Sequence, residues 1–473
     1  MELKQDGFNR YRLHRRGKMR VDAVIYANEH LLPLLREDKS LEQLANAACL
    51  PGVIEPVIGM PDIHEGFGLP IGGVMAVAAD GVISAGAVGM DINCGVRLIR
   101  SDLLARDFNQ TLLRRLIDRI EHHVPTGVGK KGKHKGIDSK IFEAVTHKGV
   151  AAIINAGFGS VEDLYRIEEN GCLPGADIGA VSREAYSRGA VQLGTLGGGN
   201  HFIEIQEVTD IFDAETAGRF GLFAGQLTVM IHTGSRGLGH QVCTDYTKWL
   251  AGAAPKYKIE LPNRGLACAP IDSPDGRNYY KAMACAVNFA FANRQIIMTD
   301  VMRAFNDVVG SAPDEIGMRI VYDVAHNIAK WEEHHGRRVL VHRKGATRAL
   351  CPKHPANPAV YRDTGHPALV PGSMGTASYV LVGTEKAAET FFSVNHGAGR
   401  VLSRTAAEKK ITKEEFERAM RDVVYNVRSY KEIVDEAPLA YKDIEQVVSA
   451  LVDVGITRKV ARMIPLAVVK GKD

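Results

Sequence analysis

Apolar residues along this chain follow two periods, and the places where one gives way to the other mark its elements. Between residues 52 and 99 they come in short Val/Ile-rich runs bounded by glycine, such as 73–78 and 96–99, which predicts compact β structure with close backbone approaches. Four more strand-like runs lie at 200–205, 227–232, 318–326 and 377–382, each carrying a polar residue at an end. Helical spacing governs the remainder. Residues 40–48 predict a short helix, and Leu112, Leu113, Leu116, Ile117 and Ile120 recur on one helix face after Asp107, which is placed to cap it. Helices joined by loops are expected over 157–189, and a long helix over about 279–309. Thr412 and Glu415 have capping-box spacing, opening a helix through Phe416, Met420, Val423 and Val424, with Pro438 as a break beyond it.

The alternation of strand and helix periods predicts an α/β or mixed α+β class, with β-sheets flanked by helices. Neither an internal repeat nor a low-complexity linker is present, so a single large catalytic domain over 1–473 is the expected organisation.

Composition narrows the function classes. With 45% hydrophobic and 24% charged residues the chain is globular, neither disordered nor fibrous. A net charge of +4 over 473 residues means that any nucleic-acid contact must come from a local patch. Seven cysteines, at 49, 94, 172, 243, 268, 285 and 351, form no C-x-x-C pair, which argues against a disulfide scaffold or zinc ribbon and for a reducing compartment. The first 19 residues are polar and basic, without the apolar core of a signal peptide, and no apolar run approaches a membrane span. A cytoplasmic protein with no membrane partner is the expectation.

The candidate chemistry starts at Gly89-Met90-Asp91-Ile92-Asn93-Cys94-Gly95, where a carboxylate and a thiol sit three residues apart in a turn. Alone, the pair reads equally as a turn former and a buried small hydrophobe. Three histidines change the picture: His201 after three glycines, His232 before Thr233-Gly234-Ser235-Arg236-Gly237, and His326 between Ala325 and Asn327. Together with Asp91 and Cys94 they supply donors for two neighbouring divalent ions if the thiolate bridges, a set compatible with Zn2+, Mn2+ or Co2+. A fourth histidine lies in Asn395-His396-Gly397-Ala398-Gly399-Arg400, where small residues admit a ligand to its ring. Arg400 and Arg404 would stand one turn apart if Gly399 opened a helix. His396 reads either as a nucleophile on phosphorus or as a loop histidine beside a solvated basic helix.

Other stretches are weaker. Gly127-Val128-Gly129-Lys130-Lys131-Gly132-Lys133-His134 nearly spells a phosphate-binding loop, but His134 replaces the hydroxyl residue and a helix precedes it where a strand is required. A flexible basic loop is expected there, either solvated or touching a polyanion. His122, His123, His334 and His335 are expected in charged helical surroundings, exposed to solvent.

Taken in order, Asp91-Ile92-Asn93-Cys94-Gly95-Val96-Arg97, Gly199-Asn200-His201-Phe202, His232-Thr233-Gly234-Ser235-Arg236-Gly237, Asp323-Val324-Ala325-His326-Asn327, Pro371-Gly372-Ser373-Met374-Gly375-Thr376 and His396-Gly397-Ala398-Gly399-Arg400 resemble the RtcB-type tRNA-splicing RNA ligases over nearly the whole chain. The resemblance implies a GTP- and Mn2+-dependent ligase that joins an RNA 3′-phosphate or 2′,3′-cyclic phosphate to a 5′-hydroxyl. It implies that Cys94 bridges two Mn2+ ions, with His232 and His326 completing one site and Asp91 and His201 the other, and that His396 takes GMP covalently. Asn200, Glu204, Asn327, Ser373, Met374, Gly375, Ser378, Gly397, Ala398, Gly399, Tyr441 and Lys470 match the GTP pocket, and Arg236, Lys344, Arg400 and Arg404 the phosphate and RNA contacts. Partners would be RNA, such as tRNA halves or broken ends, and an archease-type activator. The family commonly has a small residue where Ile63 stands and varies at Glu65, so these two positions bear on access or RNA contacts and not on the core chemistry. The competing enzyme reading is a dinuclear phosphoesterase acting on RNA ends without ligation, which would not need His396.

Overall fold

The computed structural model describes residues 2–427 and 429–471. Its helices and strands assemble around two large sheets, as the mixed pattern predicts. The seven-stranded sheet runs in the order Lys4–Gln5, Arg10–Leu13, Ala23–Tyr26, Val57–His64, Ile71–Ala78, Arg337–Lys344, Asn327–His334. The eight-stranded sheet runs Arg319–Ala325, Gly95–Leu104, Gln226–Thr233, Phe202–Ile211, Thr457–Lys470, Ser378–Gly383, Ala368–Val370, with Val424–Tyr425 alongside Thr457–Lys470.

The register of the second sheet decides where the chemistry can be. Gly95 pairs with Thr233 and with Ala325, Phe202 pairs with His232, and Lys470 pairs with Phe202. Because these neighbours are antiparallel, strands that begin at 95 and 202 and strands that end at 233, 325 and 470 all terminate at one edge. The residues just outside those ends are the ones that the motifs supply. His326 sits where the chain leaves one sheet for the other, between Arg319–Ala325 and Asn327–His334.

The helix Pro274–Val309 runs through the interior, its middle buried on every side from Ala282 to Met298, and the polar side chains it carries there, Asn288, Asn293, Arg294 and Gln295, are hydrogen-bonded. It starts five residues before the predicted 279 because Ser273 caps it, its hydroxyl accepting from Gly276 N at 3.0 Å, and Pro274 fits the first turn. Other boundaries also move. The helix Gln110–His123 is capped by Asn109, whose side chain accepts from Leu112 N at 2.9 Å, while Asp107 ends a 3-10 turn, Ala105–Asp107. The Thr412 and Glu415 capping box forms, but its helix, Lys413–Ala419, stops short, and Val424 joins a strand. His334 lies in a strand, not a helix, and is buried between Glu332 and the Phe392 ring. The basic loop after residue 126 is anchored: Gly132 N donates to Val191 O at 2.8 Å, and the His134 Nε2 to Asp300 Oδ2 separation is 2.8 Å. No described helix is long and apolar enough to cross a membrane.

Candidate active site

Cys94, Asp91 and His201 meet at the sheet edge, their donor atoms all within 4.8 Å of one another. His201 Nε2 lies 2.8 Å from Asp91 Oδ2 and 3.6 Å from Cys94 Sγ, and His232 Nε2 lies 3.2 Å from that sulfur. His326 follows, with ring centroids 5.6 Å from His232, and His396 comes next, 5.3 Å from His326. The five expected metal ligands and the expected nucleophile thus form one contiguous group.

The backbone that holds them is pinned from behind. Asn93, at φ 51°, turns the chain between Asp91 and Cys94 and donates its side-chain amide to Val287 O at 2.8 Å. Asn327 donates to Asp91 O at 2.9 Å, and its oxygen accepts from Gly345 N at 2.8 Å, so it ties the turn to the strand that follows His326. Arg294, fully buried on the long helix, donates from Nη1 to Asn93 O at 2.9 Å and Thr233 O at 2.7 Å. Its charge is balanced by Asp323, which also pairs with Arg97 at 2.8 Å.

Hydrogen bonds indicate which nitrogens are available. His201 Nδ1 is 3.0 Å from Leu196 O, a pure acceptor, so Nδ1 carries hydrogen and Nε2 faces Asp91, either donating to it or offering a lone pair to a cation. His326 Nδ1 is 2.7 Å from Thr347 Oγ1, and its Nε2 is buried with no partner among the described residues; His232 Nδ1 is likewise unpaired. Burial drives both His232 and His326 well below the ordinary histidine range, so both are neutral and fit to coordinate. Burial also pushes the Cys94 thiol up, reinforced by the Asp91 charge. Burial works to raise the Asp91 carboxyl as well, but the His201 hydrogen bond and charge, together with Arg236, outweigh it and bring it to about 2. Lone pairs converging in a buried space with little positive charge are the donor chemistry of a cation site, and the residues present fit a divalent metal.

A cavity of about 380 Å3 opens onto this group. Asn200, Asn327, Lys344, Ser373, Met374, Gly397, Ala398, Gly399, Arg400, Arg404, Tyr441 and Lys470 line it, as do Asp91, Cys94, His232, His326 and His396. His201 and Arg236 lie behind the wall, Arg236 reaching Thr195 Oγ1 at 3.3 Å and Gly127 O at 3.4 Å. Glu204 and Ser378 are also behind it, joined through Gln206, whose amide donates to Glu204 at 2.7 Å and Ser378 at 3.1 Å. Gly375 packs against Pro438 and is not in the wall. Burial raises the Glu204 carboxyl to about 8 against the opposing Gln206 bond and Lys470 charge.

Two expectations are corrected by geometry. Gly399 does not open a helix: at φ +75° it lies where a Cβ would come within 2.3 Å of Asp62 O, and the helix Arg404–Lys410 starts only after Ser403. Arg400 and Arg404 therefore converge on a carboxylate instead of stacking along one helix, Arg400 at 3.0 Å and Arg404 at 3.6 Å from Glu436 Oε1. Arg400 also donates to Tyr441 OH at 3.2 Å, clamping that wall. Ile63 is buried in the core near Gly59 and Leu44, which removes it from the access route. Lys344 lines the cavity while its amine donates to Phe67 O and Gly86 O; burial lowers it to about 8.

Sequence reasoning missed three residues. Asp62, fully buried, accepts from His396 Nδ1 at 2.6 Å and His396 N at 3.0 Å, fixing the imidazole with Nε2 free to face the cavity. Its neighbours Pro61 and Ile63 offer their carbonyls to Lys442, which burial lowers to about 8. Glu436, in a short 3-10 turn, holds Arg400, Tyr441 and Lys470 around one carboxylate. Asp62 stands two residues from His64 in a motif-like stretch and was findable; Lys442 and Glu436 carry no pattern.

Comparisons with known proteins agree with this geometry. A family model described as tRNA-splicing ligase RtcB matches residues 43–471. The tRNA-splicing ligase RtcB of Archaeoglobus fulgidus is 48% identical over 463 residues, covering 96% of this chain and 95% of its own. That of Methanococcus maripaludis is 48% identical over 461 residues, with 96% and 95% covered. The RNA-splicing ligase RtcB of Mycobacterium tuberculosis is 45% identical over 437 residues, covering 91% of this chain and 100% of its own. With that identity sustained over nearly its whole length, the chain belongs to the tRNA-splicing ligase RtcB family.

Proposed function

We propose that this RtcB-family RNA ligase joins an RNA 3′-phosphate or 2′,3′-cyclic phosphate end to a 5′-hydroxyl end, using GTP, two Mn2+ ions and a covalent His396–GMP intermediate. The observation that carries the reading is an oriented imidazole beside a cation-binding group: His396, fixed by Asp62 at 2.6 Å, with its ring 5.3 Å from that of His326.

A 5′-hydroxyl cannot displace the poor leaving group of a phosphate monoester, so the end must first be activated. His396 Nε2 attacks the α-phosphorus of GTP; the N–P bond forms, the α–β P–O bond breaks and pyrophosphate leaves. Asp62 keeps its hydrogen bond to Nδ1–H and stabilises the positive charge that develops on the ring. An oxygen of the RNA 3′-phosphate then displaces the imidazole, which recovers its electron pair, and GMP passes to the RNA as a pyrophosphate. The 5′-hydroxyl oxygen attacks the 3′-phosphorus, loses its proton, and GMP departs. Divalent cations at Asp91, Cys94, His201, His232 and His326 would supply charge stabilisation for the phosphoryl oxygens. The donor set also suits Zn2+ and Co2+, so Mn2+ is part of the test.

Glu204 supports guanosine as the nucleoside. Just behind the cavity wall, its buried carboxyl accepts one amide donor and in its ionised form has room for two more, and the N1–H and 2-amino group of guanine present two adjacent donors where adenine presents one. All seven cysteines are free, which supports a cytoplasmic setting. An archease-type activator is part of the same reading.

The test is incubation with α-labelled GTP and Mn2+, denaturing electrophoresis, and acid treatment of the retained label. Acid-labile label, absent from His396→Ala, is the expected result. No label in protein loaded with metal would overturn the GTP assignment and favour a phosphoesterase or dependence on an activator; label restored by Zn2+ and not by Mn2+ would overturn the Mn2+ assignment.

A further inference from the structure

A second pocket, of about 760 Å3, opens beside the active cavity and shares Phe67 and Met90 with it, but none of Ser373, Tyr441 and Lys470. Its floor is one face of the helix Arg236–Ala253: Thr244, Thr247, Lys248, Ala251 and Gly252 fall at i, i+3, i+4, i+7 and i+8. Two hydroxyls, a lysine and two small residues on one stripe let a polar chain approach closely. Arg264 closes the far side, and Lys248 and Arg264 are both exposed.

The aromatic wall is built, not incidental. Phe67 is 47% exposed, yet its carbonyl is fixed by the Lys344 amine. Gly68 and Gly86 let the turn Arg264–Leu266 pack directly on this loop: a Cβ on Gly68 would come within 2.4 Å of Gly265 O, and one on Gly86 within 1.6 Å. Phe67 and Arg264 are thereby held in a constant relation across the pocket. Residues 258–262, just before Arg264 in the chain, border another recess edged by Arg16, Lys18, Arg20 and Lys258. One of these charges, Lys18, is paired with Glu260.

An exposed aromatic ring on an anchored backbone, flanked by cations, is the recognition chemistry of single-stranded nucleic acid: a base stacks and the backbone follows the charge. The reaction chemistry selects the strand. In-line displacement at the 3′-phosphorus puts the attacking 5′-oxygen opposite the departing GMP. The guanosine residues Ser373, Tyr441 and Lys470 are absent from the second pocket, as the attacking side requires. We infer that the pocket between Phe67, the Lys248 face of the helix and Arg264 is the binding site for the 5′-hydroxyl RNA strand, with its first base against Phe67 and its backbone over Lys248 and Arg264. This rests on the ligase reading above for the identity of the strand, and on the pocket itself for the binding of RNA.

The experiment uses the full chain carrying K248E and R264E, two exposed positions outside the active cavity. In a two-strand joining assay each strand is titrated separately, and GMP labelling of His396 is read in parallel. The expected result is a KM for the 5′-hydroxyl strand raised about tenfold and less sensitive to salt, with the 3′-phosphate strand's KM and the GMP label within about twofold of wild type. Unchanged KM values, or an effect on the 3′-phosphate strand alone, would overturn the assignment. Fluorescence anisotropy with a 5′-hydroxyl RNA oligonucleotide reads the surface whether or not GTP labels the protein, so failure of the GTP chemistry is distinguishable from failure here: an equal Kd for wild type and variant refutes the site. A 5′-terminal 2-aminopurine is expected to change its fluorescence on binding wild type and not F67A; the same change with F67A would remove the stacking contact from the proposal.

Discussion

Two buried polar groups lie back to back at the centre of this protein, and they are built on opposite rules. In one, Arg97 and Arg294 surround Asp323 at 2.8 Å each, and Arg294 spends its remaining donors on Asn93 O and Thr233 O. Apart from Arg97 Nη2, this group's side-chain polar atoms have partners. In the other, Asp91, Cys94, His201, His232 and His326 bring acceptors together, while His232 Nδ1 and His326 Nε2 have no partner among the described residues. The difference separates scaffold from site. A group whose donors and acceptors are matched internally stabilises a geometry, whereas a group that gathers unpaired acceptors is prepared for a cation.

Substitutions should break the two groups differently. Cys94→Ala is expected to bring joining to background while the metal-free chain changes stability by about 1 kcal/mol or less, since the substitution removes one of several crowded acceptors. The checking measurement is thermal unfolding with and without Mn2+: wild type gains stability from the ion and the variant does not. Asp62→Asn, which presents His396 Nδ1 with the wrong hydrogen-bond partner, is expected to slow GMP labelling by on the order of 10²- to 10⁴-fold with the fold intact, read by single-turnover kinetics. Asp323→Asn has the reverse signature. It leaves two buried guanidiniums undercompensated and is expected to cost on the order of 3–5 kcal/mol in denaturant unfolding, without touching substrate.

The smallest effect concerns pH. Glu204 titrates near 8 in the folded chain against an ordinary 4.5. A raised carboxyl means that the stability contributed by its neutral form is complete below 4.5 and is lost as pH rises through about 8. On the proposed reading guanine needs the charged form, so GTP affinity should weaken below pH 8, by at most about tenfold per pH unit. Calorimetric titration of GTP into His396→Ala at several pH values measures this, and Glu204→Gln should flatten the profile.

The satisfied group was invisible as a unit in the sequence, although Asp323 and Arg97 fall inside recognisable motifs. Nothing in the spacing of residues 97, 294 and 323 relates a strand, the long helix and a second strand. The unsatisfied group was more legible, because strand ends beside glycine expose polar side chains and the motifs announce them. Asp62 shows the limit. It lies 334 positions from His396 and meets it only because the strand Val57–His64 and the loop after Asn395 share a packing boundary.

By itself the sequence determined the mixed class, the central helix, the motifs that carry Asp91, Cys94, His201, His232, His326 and His396, and the family resemblance, all of which depend on local period or on residues a few positions apart. Tertiary structure decided that Arg400 clamps Tyr441 and Glu436 in place of lying along a helix, that Asp62 orients His396, and that Phe67, Lys248 and Arg264 face one pocket. The physical reason is the same in each case. Local periodicity fixes which way a side chain leaves its own element, but its partner is chosen by sheet register and by close backbone approaches, such as Gly68 on Gly265, that join segments far apart in the chain.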